Sequence, residues 1–264
     1  LVLVPHAELH YLPFAALLGE SGPDRFLVQR YELVETPSAS VWLALESKRA
    51  GSPSGLVAFA PRADVLPGSK REVETIVRSA GASGRAVIGA AATEYEFRRQ
   101  GPVSGIVHLA TFGILNKQNP LFSYVELASG NGHDGRLEVH EIFGLSLPAD
   151  LVVLSACQTG VASGSLADVP AGDDWVGLTR AFLQAGARRV VATLWSVEDW
   201  STASFMERFY REYSSGGDPV HALAMAQRAA LTAPATSHPF AWAGFIIVGG
   251  AAKPRGAASV EPDR

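Results

Sequence analysis

The strand-like segments of this chain are continuous apolar runs rather than alternating ones, and that constrains its fold more than any other feature. Leu151-Val152-Val153-Leu154-Ser155 and Ile106-Val107-His108-Leu109-Ala110-Thr111 offer apolar side chains to both faces of a sheet. Strands buried on both faces belong to a mostly parallel sheet flanked by helices. The segments 1–4, 26–35, Leu56–Ala60, Ala86–Ile88, Tyr124–Leu127, Val190–Leu194 and Phe245–Val248 read as further strands. Helical periodicity fills the intervals. Lys70–Ala80 carries Val73, Ile76 and Val77 on one side, and Trp175, Leu178 and Phe182 form a stripe along 174–186 that Gly186 closes. Thr202–Tyr213 has an aromatic face, and Val220–Thr232 follows the start signal Asp218-Pro219. Strands alternating with helices of this length predict a three-layer α/β sandwich.

Loops are expected at Gly51–Gly55, Ser129–Gly135 and Ser163–Asp174. The break at 51–55 predicts an N-terminal strand-and-hairpin lobe (1–50) beside a main sheet (55–250). The tail 251–264 lacks apolar periodicity and is expected to be disordered. The chain opens on Leu1-Val2-Leu3-Val4-Pro5 with no methionine and no signal peptide, so it reads as a segment of a longer protein.

Composition narrows the function. A net charge of -4 gives no electrostatic reason to expect nucleic acid or an anionic membrane as partner. No apolar stretch approaches the ~20 residues that cross a bilayer. The single cysteine, Cys157, forms no internal disulfide and builds no multi-cysteine zinc site. It suits a reducing, cytoplasmic setting, and neither a metal nor a cofactor is expected.

Cys157 follows the apolar run Leu151–Ala156 and precedes Gln158-Thr159-Gly160, which places it at a strand exit. In open α/β sheets, ligands bind beyond the carboxyl ends of the strands. Gly113 ends the other apolar run, so its N–H and that of Cys157 could share an oxyanion site for attack on a carbonyl.

At these residues the sequence resembles the CHAT domain, a branch of the caspase-like cysteine peptidase superfamily that also contains separase. Besides Leu154-Ser155-Ala156-Cys157-Gln158-Thr159-Gly160, the resemblance rests on Leu1–Pro5, Leu12-Pro13-Phe14-Ala15-Ala16-Leu17 and Pro37-Ser38-Ala39-Ser40. It continues through Gly177–Ala187, Val191-Ala192-Thr193-Leu194-Trp195 and Trp242-Ala243-Gly244-Phe245. It implies a caspase-like sheet with Cys157 as nucleophile, a peptide or protein as ligand, and helical tetratricopeptide repeats upstream. It also implies a histidine just before Gly113, in a pattern like His-Leu-Ala-Thr-His-Gly. This chain has His108-Leu109-Ala110-Thr111-Phe112-Gly113, with Phe112 at the place of the base.

His108 lies four residues back on the same strand face, ~13 Å away at ~3.3 Å per residue, too far for direct proton transfer. It reads as a buried core residue. His133, in the loop Asn131–Gly135, and His140, at a helix start, are the candidate rescue bases; each is equally a solvated turn or surface residue. Asp173 and Asp174 belong to an acidic segment that reads either as an N-cap or as a lid favouring a basic substrate. Trp195 and Asp199, beyond another strand exit, either wall the same cleft or serve as a core-and-cap pair. Two functions stay open: an impaired or inactive peptidase-like module for peptide binding or signalling, and an active cysteine endopeptidase with a non-standard base.

Overall fold

Ten strands make one sheet in the computed structural model, which describes residues 1–19, 25–47, 53–116, 118–158, 173–216 and 218–251, with backbone only at 156–158 and 173–176. The strands are β1 (Val2–Leu3), β2 (Val34–Glu35), β3 (Leu56–Ala60), β4 (Gly84–Ile88), β5 (Ile106–Ile114), β6 (Tyr124–Glu126), β7 (Arg136–Glu138), β8 (Leu151–Gln158), β9 (Arg189–Thr193) and β10 (Phe245–Gly249). Their order is β1-β2-β10-β9-β8-β5-β3-β4, and β6 and β7 extend the end of β5 as an antiparallel ribbon. From β9 to β4 the pairing is parallel; β10 runs antiparallel to β9, and β1 and β2 lie parallel to β10.

The helices are α1 (Leu27–Arg30), α2 (Ala39–Ser47), α3 (Pro67–Ala80), α4 (Glu94–Gln100), α5 (Val139–Ile142), α6 (Asp173–Ala185), α7 (Asp199–Ser214) and α8 (Pro219–Thr232). They cover both faces, which is why the strands are apolar on both sides. Val107, Leu109, Val152 and Leu154 face α2, α4, α5 and α6, packing against Leu45, Phe97, Ile142 and Phe182. Ala58, Ala110, Val153 and Val191 face the other layer, against Val73 and Ile76 of α3, Phe205 and Phe209 of α7 and Leu223 of α8. The expected α/β sandwich with a mostly parallel sheet is borne out.

Three local expectations need correction. The segment 26–35 is not one strand: Leu27–Arg30 turns as α1, and only Val34–Glu35 pairs in the sheet. Hydrogen bonds from the Phe26 N–H to Gln29 Oε1, and from Arg228 Nε to the Val28 carbonyl, hold that turn. Near it, Leu18 and Phe26 make an isolated antiparallel bridge. The segment Arg136–Glu138, not expected as a strand, is β7 and pairs with β6 across the expected loop at 129–135. Lastly, β5 and β8 run past their apolar runs. The pair Phe112–Cys157 and the pair Gly113–Gln158 lie inside the ladder, because β6 takes up the far side of β5 at Gly113 and Ile114.

Candidate functional site

The parallel register of β5 and β8 brings Phe112 and Cys157 together: their Cα atoms are direct partners, with Gly113 opposite Gln158 one step on. Both strands are held in place from below by buried pairs, Val107 with Val152 and Leu109 with Leu154. Gly113 is buried between Val125 of β6 and Gln158 of β8. The residues that follow Gln158, including Gly160 and the acidic stretch from Asp168, lie outside the described residues.

Phe112 is half-buried, and Arg62, just beyond the end of β3, lies over its ring with the guanidinium carbon 5.6 Å from the centroid. Arg62 is committed: its Nη1 donates to Glu126 Oε1 at 2.5 Å, and its Nε lies 3.5 Å from Asp64. Hydrogen bonding and charge from Glu126 hold the guanidinium still more firmly protonated. Thr111 Oγ1 donates to the Glu126 carbonyl at 2.8 Å and fastens β6 alongside. Opposite Cys157 in the ladder there is therefore an aromatic ring under a cation that is paired with two carboxylates. A phenyl ring has no lone pair to accept a proton, and a guanidinium with pKa above ~12 does not give one up.

The other candidate imidazoles have partners of their own. His108 is fully buried; its Nδ1 lies 3.1 Å from Tyr210 Oη, and its Nε2 makes a 2.8 Å ion-pair contact with buried Glu72, outside good hydrogen-bond angles. His133 sits in the β6–β7 turn with Nδ1 3.0 Å from buried Glu94, which Arg98 also engages. Glu94 opens α4 just after the edge strand β4, and β4 lies three strand spacings from β8, ~14 Å at ~4.8 Å each. His140 lies tilted against Phe122 and contacts Glu138 and the Leu121 carbonyl.

Trp195 is half-buried beyond β9. Its Nε1 donates to the Phe240 carbonyl at 2.8 Å, its ring stacks on Phe240 at 5.8 Å, and it rests so close to Gly244 that a Cβ there would meet the indole at 2.7 Å. Asp199 caps α3 from another helix, accepting the Gly68 N–H at 2.5 Å. Burial raises its pKa above the ordinary carboxylate value, and the backbone bonds from Gly68 and Ser69 oppose that rise. Asp173 and Asp174 begin α6, and their side chains lie outside the described residues. Among the described residues, no group of three or more His, Cys, Asp or Glu side chains could hold a metal ion, and no helix is long and apolar enough to cross a membrane.

Sequence reasoning missed Arg62 and Glu126. Arg62 was reachable, since it follows the run Leu56–Ala60 at the same sheet edge as Phe112. Glu126 was not, because its role depends on β6 turning back along β5.

Against this geometry stand three likenesses. The family model described as CHAT domain matches residues 1–250. Tetratricopeptide repeat protein 28 of Homo sapiens is 37% identical over 113 residues, and its Mus musculus counterpart is 36% identical over the same length. Those matches take in 43% of this chain and 4% of each relative, so the chain corresponds to a small part of a much longer protein. Among solved structures, a chain of the Saccharomyces cerevisiae separase–securin complex superposes with a TM-score of 0.61 at 15% identity, over 91% of this chain and 14% of that one. The Arg-specific cysteine proteinase gingipain R superposes with a TM-score of 0.52 at 9% identity, over 82% of this chain and 53% of that one. At such identities the two superpositions speak to fold alone, and the fold is that of caspase-like cysteine peptidases.

Proposed function

The chain belongs to the CHAT-domain family, and from that premise we propose that it is a peptidase-shaped module in which peptide binding or signalling has outlived efficient amide hydrolysis. The observation that carries this reading is the register that sets Phe112, not a histidine, beside Cys157. In it, Cys157 is the retained nucleophile, and the N–H groups of Cys157 and Gly113 are the oxyanion donors. Phe112 removes the general base and, with it, the proton relay to a leaving amine. General acid–base assistance is worth ~10²–10⁴-fold, so the loss leaves amide cleavage slow by that factor. His108, His133 and His140 are each engaged elsewhere, which supports a site without a substitute base. Trp195 and Phe240 offer an aromatic wall beyond β9 on which a bound peptide could rest. Asp173 and Asp174, at the start of α6, would favour a basic peptide. The tetratricopeptide-repeat relatives support helical repeats elsewhere in the full-length protein as the sensor that this module serves.

An irreversible peptidyl acyloxymethyl ketone, with intact-mass detection, tests the proposal. Wild-type protein is expected to remain unlabelled over hours, while Phe112→His acquires label that Cys157→Ala abolishes. Stoichiometric labelling of the wild type within minutes, lost in Cys157→Ala, would show a working peptidase and sink the reading.

A further inference from the structure

Glu35 is the buried titratable group that nothing so far accounts for. It is 5% exposed, on a two-residue strand, and among the described residues its carboxyl has no hydrogen-bond or ion-pair partner. It lines a cavity of about 20 Å³, room for about one water, between β2, β9, β10 and α6. His10, Thr179, Arg180, Thr193 and Leu194 complete much of that wall. The seam that Glu35 closes is slight. β2 meets β10 through the single register pair Glu35–Val248, and β1 reaches the sheet only through β2. The chain nearby is clamped more firmly: Val28 is fully buried, Arg228 Nε donates to its carbonyl at 2.7 Å, and Phe26 packs edge-on against Trp242 at 5.3 Å.

We propose that β1, β2 and the 3-10 turn Ala7–Tyr11 form a pH-gated strap, anchored at α1, that lifts from β10 when Glu35 ionises and uncovers Thr193 and Leu194 at the exit of β9. Among the described residues no cation pairs with the Glu35 carboxyl, and ionising it in place costs more than opening a one-pair seam to water. Burial pushes the Glu35 carboxyl up to about 8 from the usual 4.5. Opening is thus linked to release of one proton. Its equilibrium constant should rise by up to tenfold per pH unit between those two values and level off above the higher one.

Other charges around the seam must be kept apart from this effect. His10 and Arg180 line the cavity itself. Arg189 on β9 is held by Asp218 and contacts Asp150. Glu32, just before β2, pairs with His221 of α8 at 2.6 Å.

Hydrogen–deuterium exchange from pH 6 to 9, corrected for intrinsic rates, separates them. In the wild type, peptides spanning 1–12 and 32–37 should lose protection about tenfold per pH unit up to pH 8, while peptides from β3 and β5 stay level. Glu35→Gln should remove that slope and leave the strap closed throughout. If strap protection in the wild type does not change with pH, the proposal is wrong. It is equally wrong if the slope survives in Glu35→Gln, which would assign it to His221 or His10; His221→Gln then tells those two apart. Should Glu35→Gln fail to fold, the wild-type profile still decides, because a midpoint near 6.5 rather than 8 contradicts Glu35 as the group.

Discussion

At the residue scale, the proposed loss of amide hydrolysis rests on one aromatic ring. Phe112 occupies the β5 position opposite Cys157, and Arg62 above it is already paired with Glu126. An imidazole placed there by Phe112→His would lie beside a cation that disfavours its protonation. Probe labelling in that variant should therefore exceed wild type by tenfold or more yet stay slow, and adding Arg62→Gln should raise it further. Labelling of the double variant below that of Phe112→His would refute the role given to Arg62. Glu35 supplies a second prediction. Its folded pKa of about 8 stands above the ordinary 4.5. Its contribution to stability is hence complete below about pH 4.5 and lost as pH rises through 8. At about 1.4 kcal/mol per unit, the loss relative to Glu35→Gln reaches ~5 kcal/mol at most, and less if the strap opens first. Urea denaturation of both proteins at pH 5 and pH 8.5 measures it; equal pH dependence would contradict it. The substitution at Phe112 was legible in the letters because it breaks a pattern around Gly113. Arg62 over the ring and the solitude of Glu35 were not, since both depend on which segments the sheet brings side by side.

Among elements, the contacts that fix α3 show how the sheet edge is built. Asp199 of α7 caps α3 at Gly68, where a Cβ would meet the carboxylate at 2.5 Å. Gly68→Ala should cost about 1–3 kcal/mol by overpacking, and only part of that in an Asp199→Ala background, where the Asp199 carbonyl still lies 2.8 Å from the added Cβ; a double-mutant cycle by urea denaturation would read the difference. Deeper in, Glu72 of α3 and His108 of β5 form a buried pair beside Tyr210 of α7. His108→Leu alone should cost about 3–5 kcal/mol by stranding Glu72, and adding Glu72→Leu should recover most of it. If the double variant is no more stable than the single one, the pair is not what holds these elements. The long elements were readable: burial on two faces gives β3, β5, β8 and β9, and an apolar stripe gives α3, α6, α7 and α8. Two others carried signals that went unread. Thr93, whose side chain accepts the Glu96 N–H, opens α4 with a capping pattern, and Asn131-Gly132, both at positive φ, mark the hairpin of β6 and β7. In α2 only Leu45 is fully buried, so no stripe announced it. β2 escaped for a tertiary reason, being two residues long and ordered by β1 and β10.

For the molecule as a whole, the two proposals concern separate parts of one sheet: the nucleophile proposed on β8 opposite β5, and the strap proposed on the β10 side. The account depends most on the first being without a base. Cys157 is the only cysteine, so alkylation by iodoacetamide reports its ionisation alone. With Phe112 rather than a histidine opposite Cys157 in the ladder, alkylation should become about tenfold faster per pH unit through neutrality, toward a midpoint at or above the ordinary thiol value of ~8.5. A thiol paired with an imidazole would instead hold a plateau of reactivity from about pH 5 to 7. The pH–rate profile of that single alkylation is the most direct measurement: a log-linear rise is the predicted result, and a low-pH plateau contradicts it.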